Sequence, residues 1–122
     1  MTLAEYALTA GYHFEVQKIV VPDGYILTAQ RIKGKLEEDE FTIEDKPVVI
    51  LQHGLLDNSA TWLLDTNNTC ILPFMFADLG YDVWLTNTRG NRESFEHMNP
   101  IEYNANDHKS KYWNFSWDEM AM

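Results

Sequence analysis

Two apolar runs with a punctuated helix between them constrain this chain more than any other feature. Pro47-Val48-Val49-Ile50-Leu51 is continuously apolar and β-branched, the pattern of a strand covered on both faces. Tyr81-Asp82-Val83-Trp84-Leu85-Thr86-Asn87 reads as a second strand. Between them lies Pro73 to Leu79, followed by Gly80. Proline suits the first helical turn, where the N–H it lacks has no intrahelical partner. Glycine suits the position just past a helix, where the backbone turns left-handed. Strand, helix and strand at this spacing predict a βαβ unit with parallel strands and a right-handed crossover.

Upstream, Leu3 to Leu8 fits a short helix, and Tyr12 to Val21 and Tyr25 to Ile32 fit two strands. Pro22-Asp23-Gly24 joins them: proline presets φ and glycine tolerates positive φ, which predicts a hairpin. Residues 34–46 are mostly polar and acidic and are expected to form a solvated loop. Thr88 to Lys111 is polar and irregular; a connection this long is functional or disordered. Ser116-Trp117-Asp118-Glu119 is a capping box, in which Ser and Glu satisfy each other's backbone donors, with Phe115 and Met120 at the positions of a hydrophobic staple. A helix begun this way needs more than the few residues left to it. The expectation is therefore an α/β domain, hairpin followed by βαβ, of which residues 1–122 are an incomplete portion.

With 45% hydrophobic residues the chain can bury a core. Nine basic residues against 19 acidic ones give a net charge of −10, which excludes a phosphate-tracking nucleic-acid binder and disfavours anionic membranes. Cys70 is the one cysteine, so an internal disulfide is excluded; with no activating partner in view it reads as a small buried hydrophobe. The opening residues have no basic n-region or apolar h-region, and no apolar run approaches the ~20 residues of a membrane span. These features leave the compartment open.

The chemistry concentrates in Leu51-Gln52-His53-Gly54-Leu55-Leu56-Asp57-Asn58. Ligands of open parallel sheets sit beyond the carboxyl ends of the strands, where this turn must lie. Gly54 permits close backbone approach. The N–H of Leu55 is a candidate donor for the oxyanion of acyl transfer, and Leu55 and Leu56 offer an apolar wall. His53 is expected to bond within the loop, and Asp57 and Asn58 to cap the following turn. Arg89-Gly90-Asn91 is expected to brace the loops around the crevice. His97 and His108 read as solvated, and the tryptophans mainly as core.

VVILQHGLLDNSATW, FADLGYDVWLTNTRGN and YWNFSWDEMA, with VPDGYILTAQRI in the hairpin, resemble the acid lipase family of α/β-hydrolases, the group of gastric lipases, lysosomal acid lipases and steryl ester hydrolases. The resemblance covers about Ala4 to Ala121. It implies hydrolysis of neutral lipid esters by a Ser-Asp-His triad without a cofactor or metal, with the Leu55 N–H as one oxyanion donor and His53, Gly54 and Leu56 beside the substrate. In that family the nucleophile stands in a GxSxG elbow. None of Ser59, Ser94, Ser110 and Ser116 has that surround, so the 122 residues alone are expected to be inactive. The alternative expectation is a non-catalytic hydrolase-like subunit whose exposed sheet is covered by a protein partner. Members of the family are commonly secreted, lysosomal or lipid-associated.

Overall fold

The computed structural model describes residues 1–38, 45–64 and 70–121. Helix α1 (Leu3–Thr9) is followed by strands β1 (Tyr12–Val20), β2 (Tyr25–Lys35) and β3 (Val48–Gln52), helix α2 (Leu72–Asp78), strands β4 (Asp82–Thr86) and β5 (Glu96–His97), and helix α3 (Trp117–Met120). The described strands form one mixed sheet in the order β1-β2-β4-β3, with β5 pairing the start of β2. β1 and β2 are the hairpin, antiparallel and with a register shift at His13/Phe14. Gly24 in its turn has φ +90, a conformation that side chains rarely adopt. β3 and β4 are parallel, as the strand-helix-strand pattern requires.

β2 is central because it is long enough to serve three neighbours. It pairs with β1 along its length, with β4 through Gln30–Ile32, and with β5 at Tyr25–Ile26. Ile32, Val83 and Leu85 are fully buried on one face, together with Ala7 of α1 and with Phe74 and Ala77 of α2. Tyr12 stacks on Phe74 with centroids 4.3 Å apart and planes 4° apart. Its hydroxyl donates to Asp78 Oδ1 at 2.7 Å, tying the first strand to the end of α2. Burial, and then Asp78, push its pKa up to about 12. Pro73 lies in the first turn of α2, and Gly80 follows the helix with φ +89.

The opposite face carries Arg31, whose guanidinium forks onto Asp82 with two bonds of 2.8 Å and lies 5.1 Å over the Trp84 ring. A bidentate pair between adjacent strands fixes their register as well as adding energy. That cover stops at β4. Val49 and Leu51 of β3 turn toward the core, whereas Val48 and Ile50 are 58% and 64% exposed. The expectation that β3 is covered on both faces therefore fails among the described residues. The core gathers residues of α1 and α2 on one face only, and no described element lies over the other face of β3.

Two further expectations change. Gly34 and Lys35 belong to β2, not to a loop. Lys46 pairs with Glu38 and donates to Lys33 O at 3.3 Å, so the flanks of the acidic stretch are held together; residues 39–44 within it lie outside the described residues. Cys70 is exposed rather than buried, its thiol 3.6 Å from Met75 Sδ, because it stands in the connection leading to α2 and not on a core-facing position.

Candidate active site

Parallel pairing brings the ends of β3 and β4 out side by side. Gln52 pairs with Thr86, whose hydroxyl donates to Gln52 Oε1 at 2.6 Å. The next residues of both strands therefore emerge at one edge of the sheet. His53 is buried there and links the two loops. Thr88 N–H donates to its Nε2 at 3.2 Å, so Nε2 is the acceptor. Nδ1 then carries the proton and donates to Gly54 O at 2.7 Å. Both ring nitrogens of His53 are thus engaged by backbone groups of the two loops.

Asn87 and Asn91 complete the junction. Asn87 is buried and uses its whole amide: Oδ1 accepts from Ser59 N–H and Asn91 Nδ2, each at 2.9 Å, while Nδ2 donates to Thr28 O at 3.0 Å and Gln30 Oε1 at 2.9 Å. Asn91 Nδ2 also lies 3.1 Å from His53 Nε2 and 3.4 Å from Asp57 O. Its Oδ1 accepts from the N–H groups of Glu93 and Ser94 at 3.0 and 2.8 Å. One side chain thus touches both flanks of Leu55-Leu56 and the turn after Gly90. Asn58 caps the following turn, accepting from Ala60 N–H at 2.9 Å, and Asp57 accepts from Asn58 N–H at 2.8 Å.

Behind this junction stands an aromatic cluster. Arg89 is buried, pairs with Asp23, and lies 4.1 Å over the Tyr25 ring and 5.8 Å from that of Phe115. Tyr112 is fully buried; its hydroxyl donates to Ser94 O at 3.0 Å and accepts from Gly90 N–H at 3.2 Å. Burial pushes its pKa up to about 12, although the Gly90 bond opposes the shift. Gly90 has φ +82, and a Cβ there would meet Phe115 Cζ at 2.8 Å, so this position requires glycine. Phe115, Tyr25 and Tyr112 meet edge to edge or tilted. Arg89-Gly90-Asn91 braces the loops as expected.

Leu55 and Leu56 stand at the mouth of a cleft of ≈510 Å³ that also touches His53, Gly54, Arg92 and Trp117. Leu55 is 70% exposed and Leu56 98% exposed. Leu56 is the one non-glycine residue of positive φ among those described, at 61°, a conformation that costs a branched side chain about 1–2 kcal/mol. Neither leucine amide has a hydrogen-bond partner among the described residues. A Cβ at Gly54 would meet nothing within 4 Å, and its φ is not left-handed, so the described fold does not itself require glycine there. The sequence-predicted residues His53, Gly54, Leu55 and Leu56 are thus brought together at one cleft. Among the described residues no group of three or more His, Cys, Asp or Glu side chains could hold a metal.

A model of the partial α/β-hydrolase lipase region matches residues 3–66. The chain belongs to the α/β-hydrolase lipase family. It is 43% identical over 112 residues to a gastric triacylglycerol lipase of Bos taurus, which covers 91% of the chain and 26% of that lipase. It is 41% identical over 114 residues to lipase 1 of Drosophila melanogaster, with 92% of the chain and 22% of that protein covered. To lipase member K of Mus musculus it is 40% identical over 121 residues, covering 99% of the chain and 29% of the relative. The chain therefore spans less than a third of the length of these relatives.

Other residues are placed differently from expectation. His97 is not simply solvated. It stacks on Tyr103 at 3.9 Å, accepts from Asn99 N–H at 2.9 Å, and its Nε2 meets Asp23 O at 3.0 Å, because β5 carries it onto the hairpin turn. Trp117 is 66% exposed at the cleft instead of in the core, since the Ser116–Glu119 box turns the short α3 there. Asn87, Ser94 and Tyr112 are not singled out by the sequence. The asparagine immediately after a parallel strand was the available signal.

Two outcomes follow. Tyr12 and Tyr112 ionise near 12 in the folded chain but near the ordinary value of 10 when unfolded. The unfolded state thus loses those protons first, and stability present below pH 10 declines as pH rises toward 12. Urea midpoints measured across that range should fall, and in Tyr12→Phe they should fall less steeply. Second, Leu56→Asn, which suits left-handed backbone and loses no buried contact, should leave the urea midpoint unchanged or raise it by up to about 1 kcal/mol of stability. A loss above that size would mean that the Leu56 side chain supports the fold.

Proposed function

We propose that the cleft is the acyl-binding side of a serine ester hydrolase acting on neutral lipid esters, in which the Leu55 N–H is one oxyanion donor. The observation that carries this reading is the unsatisfied Leu55 amide at the edge of the parallel strands, beside an exposed leucine pair. Leu55 is 70% exposed, and an N–H there with no partner among the described residues is available to a ligand atom. A donor so fixed is worth most as charge develops on a carbonyl oxygen, because the loop has no reorganisation left to undergo. His53, Asn91 and Asn87 supply that fixity. They hold the loop rather than transfer protons, and the nucleophile, its base and the second donor must come from residues other than these 122, which contain no GxSxG. The names of the relatives, a gastric triacylglycerol lipase among them, support a triacylglycerol-like ester as the substrate.

The test is a chimera in which this chain replaces the matching region of the bovine gastric lipase. With a p-nitrophenyl ester, Leu55→Pro removes the N–H and should lower kcat by about 10²–10³ with little change in KM. Leu55→Ala, which keeps the N–H, should stay within about tenfold of the parent. A folded Leu55→Pro chimera with parental kcat would refute the oxyanion role.

The exposed Val48 and Ile50 favour a second reading, in which this chain is a hydrolase-like subunit covered there by a partner. Both readings need cover on that face, and the cleft favours the first.

A further inference from the structure

The cleft has the wrong charge for its chain. Acidic residues outnumber basic ones 19 to 9 overall, yet Arg89 and Arg92 line the cleft against Asp57 alone. Asp57 is already engaged by Asn58 N–H, and Arg89 is buried against Asp23. Seven of the nine Lys and Arg residues pair with a carboxylate. Among the described residues Lys109 and Arg92 do not, and of these only Arg92 borders the cleft. Neighbouring Glu93 does not take it up; that carboxylate accepts from Gln30 Nε2 at 3.3 Å instead. Arg92 is exposed, and its guanidinium stands at the rim of the cleft without a carboxylate among the described residues.

We infer that Arg92 is a carboxylate-binding residue, and that the cleft holds a fatty-acid anion with its head on the Arg92 guanidinium and its tail along Leu55, Leu56 and Trp117. The inference rests on the ester-hydrolase reading of the same cleft and deepens it. The fork of an arginine matches the two oxygens of a carboxylate, whereas a neutral ester offers it only a weak acceptor. The tail needs apolar surface beside that charge, and three large apolar side chains between 66% and 98% exposed provide it. When an ester is cleaved the acyl product ionises at neutral pH and its proton passes to solvent, so the cleft would hold the product acid more tightly than the ester. Arg92 is thereby a specificity-determining residue, and it would make the site sensitive to accumulated acid.

Binding to the 122-residue chain tests this without catalysis. Octanoate, methyl octanoate and acetate are titrated by calorimetry and tryptophan fluorescence, with Arg92→Gln and Arg92→Lys compared after circular dichroism confirms the fold. Octanoate should bind more tightly than its methyl ester, and acetate not measurably. Arg92→Gln should weaken octanoate about three- to tenfold while leaving the ester unchanged, and Arg92→Lys should fall between. Raising the salt should reduce the difference between acid and ester. Equal affinity for acid and ester, or an Arg92→Gln variant that keeps the octanoate affinity, would overturn the Arg92 assignment while leaving the acyl cleft standing. If neither amphiphile binds, the acyl reading of the cleft fails, and this inference with it.

Discussion

The parallel pairing of β3 with β4 is the constraint on which the rest of the molecule depends. It sets Gln52 and Thr86 in one row, so the two loops that follow leave the sheet together. Only then can the Thr88 amide reach the His53 ring and Asn91 reach both His53 and Asp57. A slip of one residue would exchange the faces of the strand and put Val49 and Leu51 outside. Arg31 fixes the other register of β4, that against β2, because its fork closes on Asp82 at the start of β4.

The site is held by hydrogen bonds and the sheet beneath it by apolar packing, and the two meet at Asn87. Its amide joins β2, the 3₁₀ turn at Ser59–Trp62 and Asn91 with no polar atom left over. Such a network is stiff when complete and costly when broken. The stiffness matters because Leu56 is kept in left-handed backbone with its side chain almost wholly in solvent. No contact within the described residues repays that conformation, so the surrounding bonds impose it.

Local chemistry made much of this readable. The hairpin was marked by Pro22-Asp23-Gly24, the crossover helix by Pro73 and Gly80, and the bonding of His53 within its loop by the lack of a second His or carboxylate at metal-ligand spacing. Asn58 as a cap follows from its short polar side chain. What could not be read depends on partners distant in sequence. Asn87 bonds residues 28 to 59 positions away, and Tyr112 closes on Ser94 and Tyr25. The open face of β3 was hidden for a different reason: an apolar run reports that both faces suit burial, not which elements supply it. Cys70 and Trp117 stand exposed because connections and helix ends, not hydrophobicity, set where they point.

Amide hydrogen exchange of the ¹⁵N-labelled chain tests the central claim most directly. The Leu55 amide should exchange near its intrinsic rate, while that of Leu85, buried within the sheet, is strongly protected. Strong protection of Leu55 comparable to that of Leu85 would mean that its N–H is already bonded within the protein, and the loop could not present it to an acyl group.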